Sequence, residues 1–192
     1  MTQEQALIPQ LIINRGNKVL DNCLSIVFGV VLLSLLAQIA IPLPWTPVPI
    51  TGQTFGVALT ALLWGRKRGL AVVMSYLAVG ALGLPVFAMG TAGLAVGPTF
   101  GYLIGMMVAS YWMGFLSDSG WTKSLFRTWL AAVSGSAMTF GFGVLVLSIF
   151  VPAKALLVSG VLPFLPGDAI KTVLVTFIVF QIQRSVENGL KK

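Results

Sequence analysis

Long apolar stretches fill this chain, and its basic residues lie at alternate ends of them. Ten of the twelve lysines and arginines fall in four places: Arg15 and Lys18, the run 66–68, Lys123 and Arg127, and the C-terminal positions 184, 191 and 192. The chain is 57% hydrophobic and 9% charged, with a mean hydropathy of +0.95, which is outside the range of soluble domains. The sequence therefore predicts an all-α polytopic membrane protein.

The apolar segments predict six transmembrane helices in a single domain covering residues 1–192. We place the spans at about 22–41, 52–65, 69–87, 99–118, 126–150 and 167–186. The gaps on one side hold ten basic residues and those on the other hold one, Lys154, so both termini are expected in the cytoplasm. The scattered basic connections suit anionic lipid of the bilayer and not nucleic acid.

The residue inventory argues against an enzyme. The chain has no histidine and one cysteine, Cys23, which excludes a disulfide framework, the usual zinc ligand sets and a Ser-His or Cys-His nucleophile. We predict no metal site and no cofactor. The chain also lacks a Gly-x-x-x-x-Gly-Lys loop, so any energy from nucleotide hydrolysis must come from partner proteins.

Two uncharged connections on the predicted outer face carry unusual backbone signals. Residues 41–51 contain four prolines, which fix an extended, stiff segment, and we expect it to fold back over the bundle with Trp45 at the headgroup level. Residues 84–99, together with Gly83, are rich in glycine, which allows positive φ or close approach to a ligand. Tight turns are the ordinary alternative for both.

An ionisable pair, Asp168 and Lys171, lies at the start of the last span. The breaker-rich run 163–167 places Asp168 at the N-cap or in the first turn of a helix, and the i, i+3 spacing puts both side chains on one face. One interpretation is a capping aspartate with a lysine that extends outward to the interface. The other is a polar ligand site turned inward beneath the outer connections.

Further polar groups lie at the same depth. Small residues at 97, 101, 105 and 109 form a stripe that predicts close helix packing, while Thr99 and Tyr102 add hydroxyls at the outer end of that span. Thr51 and Gln53 are the other polar side chains at this level.

Four sequence blocks resemble the BioY family, the biotin-binding S components of energy-coupling factor (ECF) transporters. They are VPITGQTF at 48–55, GLPVFA at 83–88, GPTFGYL at 97–103 and PGDAIK at 166–171, and they occur in the family's order over most of the chain. The resemblance implies an S-component fold in a bacterial or archaeal cell membrane, with a biotin pocket near the outer face. It also implies a partnership with an ECF coupling protein and two ATPases.

The matching positions supply the predicted pocket residues. The resemblance implies that Asp168, Lys171 and the glycine-rich outer loop, with Phe87, Gly90 and Gly93, line the biotin site. We expect Asp168 to accept from a ureido N–H and Lys171 to donate to the ureido oxygen or, with helix-start amides, to the carboxylate. Thr51, Gln53, Thr99 and Tyr102 would provide secondary contacts.

Docking to the coupling protein is expected on the first helix. S components often carry an Ala-x-x-x-Ala stripe there, and this chain offers the small residues Ser25, Gly29 and Ser34 instead. The alternative function is a self-sufficient secondary carrier or facilitator for a small vitamin-like solute. Proton-relay acids in mid-span would support such a carrier, and the sequence has none there.

Overall fold

The chain folds into a mostly helical bundle. The structure, a computed structural model, describes residues 18–94 and 96–189. In chain order its elements are α1 (Lys18–Ala37), β1 (Ala40–Ile41), β2 (Ile50–Thr51), α2 (Gln53–Ala81), α3 (Phe100–Asp118), α4 (Leu125–Leu147), α5 (Leu156–Gly160) and α6 (Leu165–Gly189). Short 3-10 turns occupy Ala88–Gly90, Trp121–Lys123 and Ala153–Ala155.

Helix α2 is a hairpin of two antiparallel arms, 53–64 and 66–81, joined at Gly65. Gly65 has φ 76° and ψ −176°, which is not helical. In a straight helix, Gln53 and Tyr76 would lie roughly 34 Å apart, yet their side chains are hydrogen-bonded at 2.6 Å. The two arms correspond to the second and third predicted spans.

Within the described ranges, four stretches are long and apolar enough to cross a membrane: Val19–Ala37, Phe100–Asp118, Leu125–Leu147 and Ala153–Asn188. They overlap the first, fourth, fifth and sixth predicted spans, and the last of them begins well before the predicted residue 167. The third predicted span extends too far, because helix α2 ends at Ala81 instead of residue 87. From Gly83, which has φ 99°, the chain turns into the glycine-rich loop.

Small residues allow α3 and α4 to pack backbone against backbone. A Cβ added at Gly105 would lie 2.8 Å from Thr139 Cα, and one added at Gly101 would collide with the carbonyl oxygen of Phe142. Ala109, on the same stripe, is fully buried. The predicted role of the stripe in close helix packing is therefore what the structure shows.

The two ends of the bundle differ in charge. The Gly65 turn with Arg66 and Arg68, the α3–α4 connection with Lys123, and the C-terminal part of α6 lie at one end. The β1–β2 connection, the loop residues 82–94 and 96–99, α5 and the start of α6 lie at the other. This second end carries the long uncharged connections and is called the loop end below.

We predict that Gly105→Ala destabilises the bundle while Gly141→Ala does not. The added methyl at 105 meets the backbone of Thr139, which cannot move aside, and overpacking of this kind costs about 1–3 kcal/mol. At Gly141 on the neighbouring helix, an added Cβ meets nothing within 4 Å. Both changes raise helix propensity equally, so the difference in thermal unfolding in detergent isolates the packing term. Equal stability of the two variants would contradict this packing.

Candidate ligand site

A cavity of about 420 Å³ opens at the loop end of the bundle. Its walls come from the β1–β2 connection, the start of α2, the loop residues 87–94 and 97–99, the start of α3, the second half of α4 and the start of α6. Aromatic side chains and a few polar groups share the lining, as is usual for small-molecule sites. The lining polar side chains are Thr51, Gln53, Thr54, Thr91, Thr99, Tyr102, Thr139, Asp168 and Lys171.

The ionisable pair is turned inward, toward this cavity. Asp168 lies in the first turn of α6, and its Oδ1 accepts a hydrogen bond of 2.9 Å from Ser136 Oγ of α4. Lys171 Nζ donates to Thr51 O at 2.7 Å and to Thr54 Oγ1 at 3.2 Å. The side chains are both partly buried. The alternative of a lysine extended toward the interface is not what the structure contains.

The two charged head groups do not bond to one another, although their spacing places them on one helix face. In the part of the chain that the structure describes, their hydrogen bonds go to α4 in one case and to β2 and α2 in the other. Each head group can still form a further hydrogen bond. An ammonium has three donors, of which Lys171 uses two, and the second carboxylate oxygen of Asp168 is available to a ligand.

Thr51 and Gln53 also line the cavity, but their side chains mainly hold its wall. Thr51 Oγ1 donates to Gln53 Oε1 at 3.1 Å, and Gln53 Nε2 donates to Tyr76 OH at 2.6 Å. Tyr76 OH in turn donates to the carbonyl of Val86 in the glycine-rich loop at 3.1 Å. This chain of bonds links the start of α2 to the loop through the second arm of the hairpin.

Tyr102 and Thr99 contribute from the start of α3. The Tyr102 hydroxyl, predicted to face the ligand, donates instead to Gly160 O of α5 at 2.7 Å. Its ring lines the cavity and lies 6.4 Å from the ring of Phe164, measured between centroids. Thr99 lines the cavity at the residue before α3. The ring of Tyr102 therefore forms part of the apolar wall, while its hydroxyl group bonds to α5.

The glycine-rich loop forms the outer wall. Phe87 is buried, packs edge-on against Tyr76 and lines the cavity. Gly93 also lines it, with φ 84°, and its N–H donates to Gly80 O at 2.8 Å. Gly90 has φ 68° and is not in the lining. The other eight of the nine predicted pocket residues, all in described parts of the chain, do line the cavity.

Gln38, which the sequence analysis did not single out, holds this loop. It follows the last residue of α1, and its Nε2 lies 3.3 Å from Val86 O and 3.1 Å from Phe87 O. Its Oε1 accepts from Gly90 N at 3.0 Å. One side chain therefore contacts three residues of the outer wall, Val86, Phe87 and Gly90.

Ser136 and Thr54 were missed for a different reason. Both position a charged side chain, since Ser136 bonds to Asp168 and Thr54 to Lys171. Single hydroxyls in apolar helices usually bond to their own backbone. The local sequence does not identify these two as exceptions, because their partners, Asp168 and Lys171, lie on α6, which is distant in sequence.

The predicted docking residues of α1 face the protein interior. Ser25 is buried, and its carbonyl accepts from Trp64 Nε1 at 3.2 Å. A Cβ added at Gly29 would lie 2.6 Å from the side chain of Val72. Ser34 is partly buried and bonds to Val30 O. Helix α2 covers this small-residue face, so a partner cannot reach Ser25 or Gly29 unless α1 separates from α2.

An apolar helical bundle with an ionisable pair in a cavity at one end defines a membrane protein that binds a small polar solute. A sequence model described as the BioY family matches residues 10–188. The chain belongs to the BioY family, which confirms the resemblance drawn from the four sequence blocks.

Curated relatives carry the same description. The biotin transporter BioY of Thermotoga maritima is 39% identical over 149 residues, covering 75% of this chain and 86% of the relative. The biotin transporter BioY of Rhizobium etli is 31% identical over 170 residues, covering 82% and 90%. A probable biotin transporter BioY of Pyrococcus horikoshii is 35% identical over 156 residues, covering 80% and 91%.

A solved structure matches the fold. The crystal structure of the S-component for biotin from an ECF-type ABC transporter aligns with a TM-score of 0.81 and 29% identity. The alignment covers 88% of this chain and 94% of that one. The bundle is therefore an S-component fold.

We predict that Gln38→Leu loosens the glycine-rich loop without unfolding the bundle. The Gly90 N–H donates to Gln38 Oε1 at 3.0 Å and to Phe87 O at 3.1 Å. Losing the first acceptor removes up to about 1 kcal/mol, so hydrogen exchange of that amide should become up to about fivefold faster. Helical amides of α3 and α4 should be unaffected. The matched control is Gln181→Leu on the exposed face of α6. Unchanged exchange at Gly90 would show that other contacts hold the loop.

Proposed function

We propose that this chain takes up biotin, acting as the membrane-embedded substrate-specificity (S) component of an ECF transporter. It captures biotin in the cavity at the loop end. The observation that carries the proposal is the inward-facing pair Asp168 and Lys171 in that cavity, in a chain of the BioY family. The curated relatives named as biotin transporters and the structural match to a biotin S-component support the same substrate.

Asp168 and Lys171 suit the ureido ring of biotin. The ring presents N–H donors beside a carbonyl acceptor, and the site presents a carboxylate beside an ammonium with one free donor. Asp168 accepts from a ureido N–H, and Lys171 donates to the ureido oxygen. Ser136 and Thr54 orient these two head groups before the ligand arrives, which lowers the entropic cost of binding.

The apolar parts of biotin suit the remaining walls. The sulfur-containing ring and the aliphatic chain contact the aromatic side chains of Phe87, Phe140 and Phe164 and the ring of Tyr102. A cavity of about 420 Å³ lies within the usual size range for small-molecule sites. Burial of these apolar groups provides affinity, while the polar pair provides orientation.

The proposed topology has six membrane spans, counting the two arms of α2 separately, with both termini in the cytoplasm of a bacterial or archaeal cell. The basic residues Arg66, Lys67, Arg68, Lys123 and Arg184 lie at the end opposite the cavity, and the positive-inside rule assigns that end to the cytoplasm. The cavity then opens outward. This is the side from which a nutrient must be captured.

Energy for transport comes from partners. The chain has no phosphate-binding loop in its sequence, so an ECF coupling protein and two ABC-type ATPases supply nucleotide hydrolysis. The solved S-component to which it is similar is described as part of an ECF-type ABC transporter. Biotin is the transported ligand in this scheme and not a cofactor.

We predict that Asp168→Asn and Lys171→Met each weaken biotin binding by about 10- to 100-fold, since each removes a charged hydrogen-bond partner from the partly buried site. Isothermal titration of the purified chain in detergent measures the change. The matched control is Lys154→Met, an exposed lysine at the same end that is outside the cavity lining, and it should bind as the parent does. Unchanged affinity in both site variants would remove the pair from the binding site.

We expect the tagged chain to copurify with the coupling protein and both ATPases when they are expressed together. Biotin uptake in these cells should then require ATP hydrolysis, and replacing the phosphate-loop lysine of the ATPases should abolish it. The control for intact capture is biotin binding by the chain itself, which should persist. Full uptake with inactive ATPases would favour the alternative of a self-sufficient carrier.

A further inference from the structure

The described cavity lining contains one positive and one negative side chain. These are Lys171 and Asp168, and every other described lining residue is uncharged. Biotin carries a carboxylate at the end of its aliphatic chain, opposite the ureido ring. The location of this charge in the complex therefore depends on whether Lys171 is available to pair with it.

Lys171 is a poor partner for a second carboxylate. Its head group is held by Thr51 O and Thr54 Oγ1, and Asp168 lies one helical turn away on the same face of α6. A carboxylate beside Lys171 would also lie near Asp168 and leave a net negative charge in a partly buried site. Charges that are removed from water without full compensation are costly. The neutral ureido ring satisfies both groups without this excess.

The mouth of the cavity lies along the glycine-rich loop. Met89 and Leu94 line the cavity while 57% and 38% of their surface is exposed, and Thr91, Ala92 and Gly93 between them are also exposed lining residues. These side chains carry no charge. With the ureido ring at the start of α6, the biotin chain is directed to this opening, and its carboxylate remains in water.

Within the described ranges the starts of α3 and α6 both add positive potential to the cavity, and the start of α3 adjoins the loop that forms the mouth. Gly97 and Thr99, which precede that helix, line the cavity. A helix dipole acting on a solvated carboxylate changes affinity by only about two- to fivefold. This is much less than the contribution of a buried ion pair, so the carboxylate has little influence on binding.

We propose that the cavity selects the ureido end of its ligand and accepts biotin carboxamides as a substrate class, including biotin joined through an amide to the ε-amine of lysine. This inference rests on the proposed biotin function. Hydrolysis of proteins that carry biotin on a lysine side chain is the class of reaction that would supply such a ligand. An amide tail leaves through the uncharged mouth without contacting either charged group.

The first test compares three ligands by isothermal titration of the purified full chain. Biotinamide and biotinyl-lysine should each bind within about tenfold of biotin, because only a solvated carboxylate has been changed. Iminobiotin, whose cyclic guanidine is protonated at neutral pH, should bind more than about tenfold more weakly, because Lys171 loses its acceptor and faces a like charge. Amides that bind more than tenfold more weakly than biotin would overturn the inference.

The second test uses the ratio of the biotin and biotinamide affinities in two variants. Lys171→Met should weaken both ligands by the same factor, whereas a loss confined to biotin would place the carboxylate at Lys171 and contradict the inference. Ala92→Lys adds a cation to the exposed mouth and should raise the preference for biotin over its amide by about fivefold. No change in that preference would show that the carboxylate is not at the mouth.

The outcomes separate this inference from the function on which it rests. If biotin itself does not bind, the proposed function fails and the inference fails with it. If biotin binds but its amides do not, only the inference fails. Because Ala92 is exposed and its variant keeps the whole polar site, the mouth test remains decisive even where Lys171→Met does not fold.

Discussion

The ammonium group of Lys171 is the contact on which the loop end of the bundle depends. It joins α6 to the carbonyl of Thr51 in β2 and to the hydroxyl of Thr54 in the first turn of α2. A partly buried cation requires such partners, since an unpaired ammonium in an apolar site is costly. Lys171 thereby holds the end of the β1–β2 connection, whose Val48 and Pro49 line the cavity, and Thr46 Oγ1 holds its middle by donating to Ser159 O at 2.7 Å. The side chain that we propose as a donor to the ligand therefore also holds part of the cavity wall.

Much of the bundle could be predicted from the sequence because lipid imposes simple rules. Helix length, apolar composition and the placement of basic residues indicated the spans, and the stripe ending at Ala109 indicated the packing of α3 on α4. The sharp turn at Gly65 could not be inferred in detail, because a glycine beside three basic residues is compatible with an ordinary connection. Its compactness depends on Gly69 and Gly114, which let the backbones of neighbouring elements approach closely.

The site was predicted less completely, for a physical reason. Eight of the nine predicted pocket residues surround the cavity, since motif blocks and breaker residues mark the ends of helices. The partner of each polar group was not predictable, because it depends on the alignment of helices distant in sequence. Tyr102 bonds to α5, Gln53 bonds to Tyr76, and Asp168 bonds to α4 instead of Lys171. Their direct roles toward biotin remain predictions.

Helix α1 connects the interior packing to the outer wall. Its small-residue face is occupied by α2, and Gln38 at its end holds the glycine-rich loop through Val86, Phe87 and Gly90. Each neutral bond contributes about 1 kcal/mol net. The loop is also held by Tyr76 OH, which donates to Val86 O, by the Gly93 N–H, which donates to Gly80 O, and by the burial of Phe87 against Tyr76. The outer wall is therefore fixed from two sides, by the end of α1 through Gln38 and by the second arm of α2 through Tyr76 and Gly80, so the packing of α1 on α2 also determines the shape of the cavity.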